Sequence, residues 1–135
     1  MEVTLALLAD AANMSDGKLN ILGTFDALNA TAFPVRHPEM MLVMRFEAPP
    51  AEYDSQKRLD IKLIDADGDT LGGVEGQIQI GKAEHGRTLR LQHILTIRDI
   101  VFPRPGDYVF AILIDGRTEA QVPVQLIDIS EGATT

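Results

Sequence analysis

The segment KRLDIKLIDADGDTLGGVEGQIQI, residues 57–80, decides the fold class because two alternating runs flank the Asp-Gly pair at 67–68. In the first run, Leu59, Ile61 and Leu63 alternate with charged residues, as in a strand with one buried face. In the second run, apolar residues alternate with glutamate and glutamine. Asp-Gly between two such runs is the strongest short-range signal for a β-hairpin. The segment therefore predicts two half-buried strands joined by a turn.

The same period of two recurs along most of the chain, whereas helical spacing is almost absent. Pairs of Asp-Gly or Pro-Gly at 16–17, 105–106 and 115–116 mark further turns. Eight or nine strands are predicted, near residues 2–9, 18–23, 24–32, 40–48, 57–65, 70–80, 88–98, 107–115 and 117–127. So many strands in one small chain favour a two-sheet antiparallel β-sandwich or a closed barrel, and we expect the all-β sandwich.

Length and composition indicate one folding unit. The chain has 135 residues, of which 45% are apolar and 24% charged, as in ordinary globular domains. We expect a single β-sandwich domain over residues 1–129 and a flexible tail over residues 130–135.

Charge and the absence of cysteine restrict the function classes. The net charge is −8, with no basic stripe, so we expect neither a nucleic acid partner nor an anionic membrane surface. The absence of cysteine excludes disulfides and thiolate chemistry. The first 15 residues lack the basic start of a signal peptide, and no apolar run is long enough to span a bilayer. We therefore interpret the first residues as a strand and expect a cytoplasmic protein.

Asp65, Asp67 and Asp69 are the candidate metal ligands, because alternate aspartates resemble the start of a calcium loop. An EF-hand would need glycine at the sixth place and glutamate at the twelfth, where this chain has Thr70 and Gly76. A looser calcium site would require carboxylates from a second loop. The favoured interpretation is a hairpin turn with solvated aspartates and no metal.

No catalytic constellation is evident. The histidines at 37, 85 and 93 have no metal-ligand spacing, and no serine has the glycine-flanked setting of a nucleophile. His93 falls in an apolar row, so we expect a core histidine bonded to a backbone carbonyl, with a base or ligand as the alternative. The glycines along 72–81 indicate a bulge or a close approach of the sheets. We expect no enzyme activity and no cofactor.

Runs that are apolar on both faces provide the candidate interaction residues. Residues 3–9, 40–44 and 108–114 break the rule that one strand face is polar. These are either central strands covered by loops or parts of an interface, since large exposed apolar patches are rare on monomers. The interface candidates are Met40, Met41, Met44, Val109 and Leu113.

Two segments carry a family resemblance: VTLALLADAANMSDGKLNILGTFDAL with FPVRHPEMMLVMRF, and VFPRPGDYVFAILIDGRTEAQVPVQL. Together with the hairpin LDIKLIDADGDTL, they resemble a family of small bacterial proteins, frequent in actinobacteria, whose function is unknown. The resemblance implies an immunoglobulin-like β-sandwich and no known catalytic residue, cofactor or substrate. The segment PGDYVF is similar to a strand start whose tyrosine hydroxyl bonds to nearby backbone, which implies a structural role for Tyr108.

The leading hypothesis is a non-enzymatic module that binds a protein partner or a second copy of itself, as a homo-oligomer, through a β-face or an edge strand. The alternative is a small-ligand or calcium-binding sandwich that uses the aspartate-rich loops. A third hypothesis is a hydrolase or isomerase that uses His93 with an aspartate.

Overall fold

Nine strands make up most of residues 1–130, the part of the chain that this computed structural model describes. They are β1 (Glu2–Ser15), β2 (Lys18–Phe25), β3 (Ala27–Ala30), β4 (Val35–Ala48), β5 (Gln56–Ile64), β6 (Thr70–Gln79), β7 (Leu89–Phe102), β8 (Gly106–Ile114) and β9 (Arg117–Asp128). The only helical segments in this range are the 3-10 turns Pro50–Glu52 and Glu84–Gly86. The prediction of an all-β chain with eight or nine strands is confirmed.

Two boundaries from the sequence, those of the domain and of the tail, stay predictions. The predicted tail begins at residue 130, and its residues 131–135 lie outside the part that the structure describes. The single-domain boundary at residue 129 stays a prediction. Within residues 1–130, no helix has the length and apolar character needed to cross a membrane.

The strands form two sheets that are mostly antiparallel. The first sheet has the order β2-β1-β4-β7, and the second has the order β3-β9-β8-β5-β6 and curls into a half-barrel. The expectation of purely antiparallel pairing is wrong at one place, because β3 runs parallel to β9. The cause is a crossing of the chain from one sheet to the other between Phe25 and Ala27.

Two of the predicted turns are tight hairpins. Asp16 and Gly17 have φ of 52° and 72°, and Asp115 and Gly116 have φ of 50° and 83°. Two successive residues with positive φ form the type I′ turn, whose twist matches that of the flanking strands. The Asp-Gly pairs therefore set the β1–β2 and β8–β9 hairpins, as the sequence predicts.

The core lies between the two sheets. Leu42 and Phe46 on β4 belong to the same buried cluster as Ile61, Phe110 and Val124 on the second sheet. On β5, buried Leu59, Ile61 and Leu63 form the alternating row read from the sequence. Burial of such rows is the main favourable contribution to folding.

Candidate functional site

The aspartate turn after β5 is closed by its own backbone. The carboxylate Oδ1 of Asp65 accepts hydrogen bonds from the amides of Asp67 at 3.0 Å and Asp69 at 2.9 Å. The amide of Asp65 also donates to the carbonyl of Asp69 at 3.0 Å. The side chain of Asp65 is only 4% exposed. Asp65 is thus the centre of the turn, whereas Asp67 and Asp69 lie at the surface.

Arg104, in the loop before β8, supplies the positive charge of this turn. One nitrogen of its guanidinium lies 3.1 Å from Oδ2 of Asp65 and 2.8 Å from Oδ2 of Asp67. Among residues 1–130, these three aspartates are the only group of potential ligands close enough to share a metal ion. The second loop that a calcium site would need therefore brings a cation instead of a carboxylate. The absence of a metal at this turn stays a prediction.

Tyr108 holds the backbone of Arg104 in place. The hydroxyl of Tyr108 donates to the carbonyl of Arg104 at 2.5 Å and accepts from its amide at 3.2 Å. The ring of Tyr108 is buried and meets Phe102 edge-on, with ring centroids 5.1 Å apart. This is the structural role that the resemblance implies for Tyr108.

The five interaction candidates do not form one surface. Met40 and Met44 are fully buried in the core, so they are corrected to core residues. Met41 lies on the outer face of the first sheet, half-buried beside Thr96. Val109 and Leu113 are half-buried and pair with Ile64 and Asp60 on the outer face of the second sheet. A single flat partner cannot touch both outer faces at once.

The histidines are separated from one another. His93 is exposed, although it pairs with buried Met44 and shares its sheet face, because β7 is the edge strand of the first sheet. The expectation of a core histidine is therefore wrong. His37 is half-buried, with its ring 6.2 Å from that of Phe25, and His85 is exposed in a turn with φ of 58°.

A groove lies between the edges of β6 and β7, and the sequence analysis did not predict it. Each of these strands has a neighbour on one side only in the described part of the chain. The groove has a volume of about 380 Å³ and is lined mainly by apolar residues of β5 to β8. Its one charged lining residue, Arg98, forms an ion pair with Glu39 at 3.0 Å. The groove is thus apolar and electrically balanced.

Glycines on β6 create this groove. Gly72 and Gly76 pair with Leu63 and Leu59, whose side chains enter the core, so both glycines face inward. A Cβ at either position would find no atom within 4 Å. Between them, Val74 is left 50% exposed. On the inner row of β6, the positions on either side of Val74 therefore lack side chains that would fill space.

At Gly73, glycine is required because a side chain would collide with the neighbouring strand. A Cβ at this position would lie 2.5 Å from the carbonyl oxygen of Ile61. This contact lies within one sheet, so it is not the predicted close approach of the two sheets. The alternative prediction, a bulge, agrees with the register shift of the β5–β6 pairing between Leu63 and Ile64, which leaves Leu71 without a partner on β5. The cluster of glycines in the sequence therefore marks both the bulge and the segment that lines the groove.

A second hollow lies on the opposite face of β6. It has a volume of about 330 Å³ and includes Asp60, Lys62 and Glu75 in its lining. Arg58 binds Asp60 at 3.1 Å and Glu75 at 3.0 Å, and the hydrogen bond and charge of Asp60 raise the pKa of Arg58. Residues 71–74 of β6 thus have open space on an apolar face and on a polar face.

Comparison with known families gives one match, to the model of the Family of unknown function (DUF6941), over residues 4–127. The chain belongs to this family. The resemblance read from the sequence is confirmed as one to a family without assigned function. No curated protein matches this family member.

A solved structure similar to this family member is the Pseudomonas fluorescens alkylpurine DNA glycosylase AlkC bound to DNA containing an abasic site analog. The identity is 12%, the TM-score is 0.51, and the match covers 93% of this chain and 30% of the glycosylase chain. At this identity the likeness concerns the fold alone.

The comparison corrects one expectation about partners. The sequence led us to exclude nucleic acid, because a net charge of −8 repels phosphate on average. A similar fold occurs in a protein whose structure was solved bound to DNA, so this exclusion is wrong. Net charge describes the whole surface and does not decide what one local site binds.

Proposed function

We propose that this chain is a non-catalytic binding module that captures an extended polypeptide segment of a partner protein in the groove between β6 and β7. The segment adds a strand to a free sheet edge. The observation that carries the proposal is that two sheet edges, neither of them paired by a strand of residues 1–130, flank one apolar groove.

Hydrogen bonding favours a polypeptide as the occupant. An edge strand presents a row of unpaired N–H and C=O groups, which is a template for another chain. An added strand satisfies these groups along its whole length, whereas side-chain pockets provide the selectivity. β6 has ten residues and β7 has fourteen, which is long enough for such a ladder.

The charge of the groove favours the same occupant. A neutral apolar lining, with Arg98 already engaged by Glu39, fits an uncharged backbone with apolar side chains.

The proposal is tested by selecting binders from a display library of random eight-residue peptides and titrating one into isotope-labelled protein. We expect NMR shifts at β6 and β7 and slower exchange of amides at the groove. Shifts confined to the Arg104 loop or to the outer sheet faces would overturn the proposal. So would the absence of any peptide that binds more tightly than about 1 mM.

Oligonucleotides form the comparison arm of this experiment. Single-stranded and duplex DNA of mixed sequence are titrated under the same conditions at two salt concentrations. If DNA produces saturable, salt-dependent shifts at the groove and peptides do not, the module is a nucleic acid binder and the proposal is overturned.

A small apolar ligand is the second candidate, because about 380 Å³ lies within the range of small-molecule sites. It ranks second because it would leave the amide groups of both edges unpaired. Native mass spectrometry of the purified protein checks it: a stoichiometric added mass that disappears on unfolding would support it.

The immunoglobulin-like character of the fold is part of the same proposal. It is supported by the two sheets around a common core and by the bonding of the Tyr108 hydroxyl to the backbone of Arg104. An experimental structure, compared strand by strand with immunoglobulin-like domains, tests it.

A further inference from the structure

We propose that the captured segment pairs with β6 and not β7, and that it alternates apolar residues facing Gly72 and Gly76 with polar residues, one of them acidic and facing Lys62. This inference rests on the proposed function and specifies the chemistry of the partner.

The two edges of the groove differ in their protection. Along β7, Arg90 and Arg98 project into ion pairs with Glu47 and Glu39, and Asp99 interrupts the strand with φ of 55°. Charged side chains and local kinks are the devices by which proteins prevent edge pairing. The edge of β7 is therefore less accessible to an added strand.

The β6 edge lacks charged side chains between residues 71 and 74, and its irregularity is confined to the register shift at Leu71. The sequence there is Leu-Gly-Gly-Val, without charge or proline, and each of these residues is exposed. An incoming strand meets no long side chain that it must displace. β6 is thus the more receptive edge.

The inner face of β6 selects apolar side chains. Side chains directly opposite each other in neighbouring strands lie on the same face, about 5 Å apart. A residue opposite Gly72 would find open space and would extend toward Leu95 and Ile97, which line the groove together with Gly72, and a residue opposite Gly76 would also find open space. Bulky side chains across from an edge glycine are a recognised means of covering it. Branched or aromatic residues are therefore expected at every second position.

The outer face of β6 selects polar side chains and one negative charge. Asp60 and Glu75 are both engaged by Arg58. Lys62 is exposed, lines the same hollow and forms no salt bridge within residues 1–130. It pairs with Gly73, which has no side chain to shield it. A carboxylate on the added strand at this level would complement the charge of Lys62.

The first test is positional scanning of the eight-residue peptide library against the wild-type chain. We expect preference for apolar residues at alternate positions and for Asp or Glu at one position between them. Binding without a period of two would overturn this inference and leave the proposed function standing. Absence of all binding would overturn the proposed function itself.

The second test exchanges charges. Lys62→Glu should weaken binding of the selected acidic peptide at least tenfold, and replacing the peptide's acidic residue by lysine should restore it. Equal affinities in all four combinations would overturn the pairing with Lys62. The matched control is Lys18→Glu on β2, an edge strand of the other sheet, which should leave the affinity unchanged.

The third test fills the groove from within. Gly72→Val should raise the melting temperature and weaken peptide binding at least tenfold, because its side chain occupies the space that the peptide would fill. Gly81→Val, also with open space at its Cβ but beyond β6, is the control and should leave binding unchanged. If Gly72→Val does not fold, Gly72→Ala replaces it. Unchanged affinity in a folded Gly72 variant would contradict the proposal.

Discussion

The guanidinium of Arg104 lies 3.1 Å from Oδ2 of Asp65 and joins the turn after β5 to the loop before β8. Asp65 is buried, whereas Arg104 is about half exposed. Removing the cation leaves a buried carboxylate with its backbone bonds but without its counter-ion.

Arg104→Gln should therefore lower the free energy of unfolding by about 1–2 kcal/mol, measured by urea denaturation. Arg98→Gln removes a pair with Glu39 that is exposed on both sides and should cost about 0–0.5 kcal/mol. If both substitutions lower the free energy of unfolding equally, the contact of Arg104 with Asp65 contributes no more to stability than an exposed ion pair does.

Calcium should not stabilise the wild-type protein, because Arg104 already pairs with Asp65 and Asp67, two of the three aspartates that would bind the ion. A ligand that binds only the native state must raise the melting temperature. Melting curves in about 1 mM calcium and in chelator should therefore coincide. A calcium-dependent increase of several degrees in the melting temperature would show that the turn binds the ion.

Tyr108→Phe should cost about 1–2 kcal/mol, since it removes a buried hydroxyl that both donates to and accepts from the backbone of Arg104. Tyr53→Phe is the control, because its hydroxyl bonds to the carbonyl of Arg87 at the surface. Its cost should stay below about 0.5 kcal/mol. A smaller effect at Tyr108 than at Tyr53 would argue against the structural assignment.

Two glycines of β6 should respond to alanine in opposite directions. Gly73→Ala places a Cβ 2.5 Å from the carbonyl of Ile61 and should destabilise by about 1–3 kcal/mol. Gly76→Ala meets open space and should stabilise by about 0.5 kcal/mol, because alanine loses less backbone entropy on folding. Thermal unfolding of both variants measures these effects. If both substitutions shift the melting temperature in the same direction, the space described at the two Cβ positions is wrong.

Methionines three residues apart on β4 should differ strongly in their contribution to stability. Met44→Ala empties a fully buried position and should cost about 2–5 kcal/mol. Met41→Ala, on the outer face of the first sheet, should cost less than about 1 kcal/mol. Chemical denaturation compares the two, and similar losses would mean that the outer face is covered in solution.

The strands and hairpins follow from local physics that the sequence carries. Leu59, Ile61 and Leu63 alternate with charge, and Asp-Gly at 16–17 tolerates positive φ, so both could be read without coordinates. Residues 40–44 are all apolar and do not alternate with polar residues. The local sequence pattern therefore could not show that Met44 faces the core and Met41 faces outward. Only the position of the second sheet decides which side is the core.

The candidate site depended on distant parts of the chain. No spacing rule connects Asp65 with Arg104, because their contact is created by the packing of β5 beside β8. The edge position of β7, which exposes His93, is likewise a property of strand order. The glycines at 72 and 76 indicated an unusual segment in the sequence. The groove itself could not be predicted, because it is formed by the position of β7 across from this segment.

The parallel ladder between β3 and β9 also bears on how the chain folds. It joins residues 27–30 to residues 125–128, close to the two ends of the described chain. Such a contact closes a very long loop, and the entropy of closure must be supplied before the ladder contributes energy. Hairpins such as β8–β9 need no such closure and can form early. We therefore expect β3 to dock last and its amides to be the slowest to gain protection during refolding.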